Sequence, residues 1–178
     1  MNPALGLVAV FFLIIANGFF VAAEFALVAV DRAKVENDVE SGRRRARVAK
    51  GLLAHLSFHL SGAQLGITVT SLLIGFLAEP AIAELLHPVL EPLLGSTAMI
   101  GVSLVVAIFL ATVVQMIVGE LVPKGLAIAR PETTVYYLGP LVRMYGIIFG
   151  PLIRMLNGAA NRTVRMLGVE PTEELSHV

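Results

Sequence analysis

Residues 4–30, ALGLVAVFFLIIANGFFVAAEFALVAV, decide the class of fold. The stretch is apolar except for Asn17 and Glu24. About 20 apolar residues suffice to cross a bilayer as a helix, so it predicts a membrane span with room for tilt. A secretory signal peptide is the alternative, but no basic residue precedes the run and no A-x-A cleavage pattern is evident.

The composition of the whole chain also indicates a membrane protein. Its 178 residues are 57% hydrophobic and 15% charged, whereas a soluble domain carries about a quarter charged residues. All thirteen Lys and Arg residues lie within 31–50 and 124–165, which excludes a nucleic-acid binder that works through a basic soluble face. The chain has no Cys, which excludes disulfides, thiol catalysis and thiolate metal sites.

Two further apolar runs, at about 60–78 and 98–119, predict a second and a third span. We therefore expect an all-α membrane protein with three transmembrane helices. A fourth apolar stretch, 135–156, carries Arg143 and Arg154, and charge at the bilayer centre is rare. We interpret it as part of a cytoplasmic-side amphipathic juxtamembrane helix over about 131–166. A fourth crossing is the alternative.

The basic residues also predict the orientation of the chain. Seven of them lie between residues 31 and 50, which the positive-inside rule places in the cytoplasm. The N-terminus is then outside and the C-terminus cytoplasmic, in a multi-pass protein of the plasma membrane. A fourth crossing would put Arg162 and Arg165 outside, against the rule. Residues 31–56 are expected to form an amphipathic helix on the cytoplasmic surface, and the acidic segment 79–97 lies outside.

We expect residues 1–168 to form a transmembrane ion-transport domain. Residues 169–178 are expected to begin a linker to further cytoplasmic domains, because they show no cap or apolar pattern typical of a packed element.

Polar side chains inside the spans mark candidate binding positions. On the second span they recur every three or four residues and so share one helix face: Ser57, Ser61, Gln64, Thr68 and Ser71. Contact between helices is the alternative role for such a stripe. On the first span Asn17 and Glu24, seven residues apart, share a face. Pairing with Lys124 or Arg32 is the alternative role for Glu24.

The segment GELVPK at 119–124 is the most informative part of the third span. Pro123 has no N–H, and its ring clashes with the carbonyl four residues earlier, which belongs to Gly119. We expect the third helix to be broken here, with the Gly119 carbonyl free beside the Glu120 carboxylate. Such backbone is tolerated at membrane depth where it is buried in protein or lines a cavity. A kinked helix end, with Lys124 reaching the headgroups, is the alternative.

These groups predict a site for a hard cation. Carboxylate, carbonyl, amide and hydroxyl oxygens suit Mg²⁺ or Ca²⁺ rather than Zn²⁺ or Cu⁺, and Na⁺ accepts similar donors. Candidate ligands are Glu120, the Gly119 carbonyl, Thr68, Ser71 and one group of the first span, such as Asn17. The chain shows no plausible pair of nucleophile and base, so we do not expect an enzyme.

Three motifs in order resemble the transmembrane domain of the CNNM/CorC family of Mg²⁺ transporters: NGFFVAAEFAL at 17–27, QLGITVTS at 64–71 and GELVPK at 119–124. The resemblance implies Mg²⁺ efflux driven by Na⁺ entry, a homodimer in the lipid bilayer, and CBS domains beyond residue 178 that bind ATP–Mg²⁺. It places the metal ligands on Thr68, Ser71, Gly119 and Glu120, with Asn17 or a backbone carbonyl from the first span. The alternative function is a Mg²⁺-sensing membrane scaffold that regulates a partner without transporting ions.

Overall fold

The computed structural model describes residues 3–166 and 168, with the backbone alone at residues 3, 89–91 and 93–99. Over the described residues the chain is helical and contains no strand. The linker expected over 169–178 lies outside this range. The elements are α1 (Pro3–Ala29), α2 (Arg32–Glu40), α3 (Arg44–Ala54), α4 (Leu56–Val114), a π-helix (Gln115–Leu121), α5 (Val122–Ala129) and α6 (Pro131–Met166).

Within the described residues, three helical segments are long and apolar enough to cross a membrane: Ala4–Ala29, Leu56–Pro88 and Ile100–Ala129. The predicted class, an all-α multi-pass membrane protein with three transmembrane helices, is confirmed. Residues 135–156, for which a fourth crossing was the alternative, lie in α6, which is not one of the three segments.

The chain divides into two units, and the first holds the amino-terminal part of α1 together with Ile67–Pro123. Its apolar core joins α1 to α4 through Val10 and Ile14 on one side and Ile74 and Ala78 on the other. Apolar side chains at the margin of this core are Leu13, Leu77, Ile82 and Ala111. Outside the core, the spans expose large apolar side chains such as Phe76, as expected for helices whose solvent is lipid.

The helical chain reverses its direction within the first unit. Gln115 Nε2 donates a hydrogen bond of 3.0 Å to Ser71 Oγ, 44 residues away in the sequence. A straight α-helix would hold these two residues about 66 Å apart, at about 1.5 Å per residue. Between them α4 contains Pro80, Pro88 and Pro92, and proline bends a helix because it lacks an N–H and crowds the preceding turn. The second span, predicted to end near residue 78, therefore continues into a bent helix.

The second unit holds Phe20–Gly66 and the chain from Lys124 onward. The one amphipathic helix expected over 31–56 is two helices, α2 and α3. Asp31 caps α2 by accepting hydrogen bonds from the backbone of the first turn. Gly42, at φ 85°, then turns the chain between the two helices, because glycine adopts positive φ without a steric penalty.

Helix α6 packs through a narrow face of glycine and branched side chains. The buried positions recur every three or four residues, which places them on one face: Val135, Gly139, Val142, Gly146, Gly150 and Ile153. A Cβ at Gly139 would lie 3.4 Å from Leu52 Cδ1, so α3 approaches α6 closely there. The other sides of α6 expose large apolar side chains, among them Ile147 and Met155.

Polar contacts connect α2 to the start of α6. Lys34 Nζ lies 3.3 Å from Glu132 Oε2, and the Tyr136 hydroxyl donates a hydrogen bond of 2.8 Å to Asp38 Oδ2. Arg43 Nη1 lies 3.1 Å from the same carboxylate oxygen. Helix α2, which follows the first candidate span, therefore contacts α6, which follows the third.

The contact between Tyr136 and Asp38 generates a test of this packing. We expect Tyr136→Phe to lower the free energy of unfolding by about 1.5–3 kcal/mol, because a hydrogen bond to a charged acceptor is lost. Tyr137→Phe is the matched control, since Tyr137 is exposed and its ring, over which Arg45 lies, is retained. Denaturation in detergent measures both variants. Equal losses would show that the hydroxyl of Tyr136 has no special role.

The same hydroxyl gives a pH dependence. Burial, together with the hydrogen bond to Asp38, raises the pKa of Tyr136 to about 12, whereas an ordinary tyrosine titrates near 10. The raised value means that the hydroxyl stabilises the fold fully below about pH 10 and loses this effect as the pH rises through about 12. Absorbance titration of tyrosinate is expected to show a late transition that Tyr136→Phe removes.

Candidate ion-binding site

Asn17 lies at the centre of the candidate site, on the second half of the apolar helix α1. Its side chain is 0% exposed, and a buried amide is stable only when its donors and acceptors are paired. Gly18, the next residue, lets the third span approach, because a Cβ there would lie 3.0 Å from Pro123 Cγ. Because Gly18 has no side chain, the polar groups of the third span can lie near Asn17.

The Asn17 amide connects three helical segments. Its Nδ2 donates to the Gly119 carbonyl over 3.0 Å. Its Oδ1 accepts from Thr70 Oγ1 over 2.8 Å and from Ser71 Oγ over 3.1 Å. Ser71 Oγ in turn accepts from Gln115 Nε2. We call Asn17, Thr70, Ser71, Gln115 and Gly119 the amide cluster. Its members come from α1, α4 and the π-helix.

The third span is widened at Gln115–Leu121 rather than unwound. This segment is a π-helix, in which the Val122 N–H bonds to the Ile117 carbonyl five residues earlier, and α5 follows without a gap. The predicted break into non-helical backbone is therefore not present. Pro123 cannot donate to the Gly119 carbonyl, and that carbonyl accepts from Asn17 instead. π-Helical turns of this kind are frequent at functional sites.

Glycine at position 119 is a requirement of the cluster. Gly119 is buried, and a Cβ there would lie 3.3 Å from Asn17 Nδ2 and 3.6 Å from Gln115 Cγ. A larger residue would push away the amide that its own carbonyl binds.

The structure brings together three of the five predicted metal ligands: Asn17, Ser71 and Gly119. Thr68 is exposed, three residues before Ser71 and thus next to it on the helix surface. Glu120 follows Gly119 directly but exposes its side chain. The cluster described here is therefore neutral, and the acid borders it. Among the described residues, no three or more of His, Cys, Asp and Glu are grouped as a metal site.

Two members of the cluster were not predicted as ligands. Thr70 is 7% exposed, but it lies about 100° around the helix from Ser71 and so falls off the predicted polar stripe. Thr70 shares a helix face with Ile74 and Ala78, which lie four and eight positions later and are also buried. Gln115 lies three residues after Thr112 and four before Gly119, so these residues share a helix face. This spacing is the sequence feature that indicates Gln115.

Glu24, the second polar residue of the first span, lies in the other unit. Lys124, one of its two expected partners, belongs to the same unit. The Lys124 ammonium itself lies 4.3 Å from the centre of the Phe25 ring, a cation–π contact. The pairing of Glu24 with Lys124 or Arg32 stays a prediction.

The Thr70 hydroxyl has two hydrogen-bond acceptors within reach. Thr70 Oγ1 lies 2.8 Å from Asn17 Oδ1 and 3.1 Å from the Ile67 carbonyl of its own helix. Its proton therefore has a second acceptor when Asn17 Oδ1 is engaged elsewhere. The hydroxyl, amide and carbonyl oxygens of the cluster belong to the ligand types that hard cations prefer.

Removal of the central amide tests the cluster. We expect Asn17→Ala to lower the free energy of unfolding in detergent by about 2–3 kcal/mol, because three hydrogen bonds are lost in a buried environment. Thr112→Ala is the control, since that exposed hydroxyl bonds to the Ile108 carbonyl of its own helix. A loss at Asn17 no larger than that at Thr112 would contradict the role of the amide.

The comparisons with known proteins agree on one family. The model of the Cyclin M transmembrane N-terminal domain, CNNM, matches residues 8–178. The UPF0053 protein MT1890 of Mycobacterium tuberculosis is 45% identical over 160 residues, 89% of this chain and 35% of its own length. The UPF0053 proteins YhdT and YrkA of Bacillus subtilis are 43% and 40% identical over 164 residues, 91% of this chain. These cover 35% and 38% of the two relatives, so the chain spans about a third of their length.

Proposed function

Because the chain belongs to the CNNM family of transmembrane domains, we propose that it transports Mg²⁺ out of the cell, with Na⁺ entry as the driving force. The observation that supports this most directly is the amide cluster. It gathers amide, hydroxyl and carbonyl oxygens from three helical segments inside an apolar bundle. Polar groups at membrane depth are costly and characteristically mark ion pathways.

In this proposal, neutral oxygens replace part of the hydration shell of the ion. Mg²⁺ prefers oxygen ligands in near-octahedral geometry. Asn17, Ser71 and the Gly119 carbonyl supply them from the cluster, and Thr68 borders Ser71. Glu120 supplies the negative charge that the cluster lacks.

The exposure of Glu120 supports a homodimer. Its neighbours Ile117, Val118, Leu121 and Val122 are apolar and about half exposed, at 45–56%. A carboxylate on such a surface is unfavourable in contact with lipid and needs protein, a counter-ion or a water-filled cavity around it. A second copy of the chain on this face would enclose the carboxylate beside the ion.

The topology in this proposal follows the basic residues. The segment 31–50 and α6 lie on the cytoplasmic side of the plasma membrane, with the N-terminus outside and the C-terminus inside. CBS domains that bind ATP–Mg²⁺ follow in the full protein, which agrees with relatives about two and a half times the length of this chain. Transport is not an enzymatic reaction, and the mechanism uses no covalent step.

Magnesium binding tests the site. Mg²⁺ is expected to raise the melting temperature of the purified protein, because a ligand that binds the folded state stabilises it. Glu120→Gln is expected to weaken Mg²⁺ affinity at least about tenfold, since the charged ligand is lost. Glu84→Gln, which removes an exposed carboxylate of α4, is the control. Unchanged affinity in Glu120→Gln would exclude Glu120 as a ligand.

Ion flux distinguishes transport from sensing. Proteoliposomes that contain this chain and a Mg²⁺-sensitive dye are expected to show Mg²⁺ movement that accelerates with an opposing Na⁺ gradient and is lost in Asn17→Ala and Glu120→Gln. A sensor or scaffold would bind Mg²⁺ in the melting experiment and move none here. Mg²⁺ flux that does not depend on the Na⁺ gradient would support transport but exclude Na⁺ as the coupling ion.

A further inference from the structure

The second unit contains a cavity of about 610 Å³ between α3, the first turns of α4 and α6. All of its lining residues belong to segments 47–59 and 143–154, so it is separate from the amide cluster. Its lining residues Phe58 and His59 lie in the first turn of the second candidate span, which begins at Leu56. The cavity is therefore near one end of that span.

The polar part of the cavity is strongly basic. Three arginines contribute to its lining: Arg47 from α3, and Arg143 and Arg154 from α6. Arg143 and Arg154 are eleven residues apart, about three helical turns, and so share a face of α6. The Arg154 guanidinium lies over Gly150, with Nη2 3.7 Å from the position of a Cβ.

Among the described residues, no Asp or Glu lines the cavity, so no acidic side chain in that part of the chain neutralises these arginines there. The ion pairs found among the described residues involve Lys34, Arg43 and Lys50 instead. The cavity therefore has a net positive charge and is complementary to an anion.

The rest of the described lining is largely apolar, with two further polar side chains, His55 and His59. Phe58 and Ile147 line the cavity, and Gly146 is small enough for the Phe58 ring to approach α6, with Cε1 3.2 Å from the position of a Cβ. Ile147 is also 72% exposed, so the apolar wall continues onto the outer surface of α6. A ligand with an anionic head and an apolar body fits this arrangement.

We propose that this cavity binds the headgroup of an anionic phospholipid. The phosphate contacts the guanidinium groups of Arg143 and Arg154, with Arg47 adding charge from α3. The acyl chains leave along Phe58 and Ile147 toward the hydrocarbon core. Basic pockets between helices at the membrane surface recognise anionic headgroups in this way, and arginine pairs with phosphate through two parallel hydrogen bonds. A freely soluble phosphate would gain nothing from the apolar wall.

Lipid binding to the purified chain in detergent tests the proposal, with native mass spectrometry as the readout. The probes are dioleoyl phosphatidylglycerol and dioleoyl phosphatidylcholine, which share acyl chains and differ in headgroup charge. We expect Arg143→Gln and Arg154→Gln each to weaken phosphatidylglycerol binding about tenfold, the loss of one charge-assisted hydrogen bond. Arg162→Gln, an exposed arginine of the same helix outside the cavity, is expected to change it less than about twofold.

Three outcomes would overturn the proposal. Equal loss in Arg162→Gln would show general attraction to the basic surface, and equal binding of the two lipids would show that charge is not recognised. Displacement of phosphatidylglycerol by an equal concentration of inorganic phosphate would show a site for a free anion. Melting temperatures without added lipid, compared among the three variants, separate a lost contact from a misfolded protein. None of these results depends on Mg²⁺ transport.

Discussion

The buried amide of Asn17 is the interaction on which the first unit depends. Apolar side chains give helices in lipid little preference for one arrangement, because lipid tails are as apolar as the side chains. A buried amide, in contrast, favours one arrangement of the helices, since each of its polar atoms must be paired. By donating to Gly119 and accepting from Thr70 and Ser71, Asn17 specifies which faces of three segments meet.

The proline of the third span creates the acceptor that Asn17 needs. Pro123 leaves the Gly119 carbonyl without its ordinary helical donor. Here the surrounding backbone forms a π-helix and stays helical, while the carbonyl turns to the Asn17 side chain. Asn17 and Pro123 therefore act on the same carbonyl: Pro123 removes its helical donor, and Asn17 replaces that donor. The glycines at 18 and 119 give it room, since a Cβ at either position would be crowded by Pro123 or by the amide.

In the second unit, glycine is used for close packing within one chain. The pair Gly146 and Gly150 has the spacing of a motif that brings membrane helices together. Both are buried, and the Phe58 ring of α4 packs against them. This leaves basic side chains around a cavity and apolar side chains on the outer surface of α6. Such a helix suits the membrane interface, where charge and apolar area are both accommodated.

Much of the fold follows from patterns that are local in the sequence. The three spans are evident because about 20 apolar residues in a row have few other stable environments. The arginines of α6 indicate that this helix does not cross, since charge at the bilayer centre is costly. The importance of the segment 119–124 is also local, because proline acts on the carbonyl four residues earlier.

The helical class, the three spans and the identity of the polar residues within them are evident from apolar length and residue type. Which of these polar residues meet is known only from the packing of the helices. It placed Thr70 and Gln115 in the amide cluster, left Thr68 and Glu120 exposed, and replaced the expected break with a π-helix. The physical reason is that the rotation of each helix depends on contacts between segments far apart in sequence, 53 residues for Asn17 and Thr70 and 102 for Asn17 and Gly119. Helical periodicity shows which residues share a face, but the partner helices decide which face is buried.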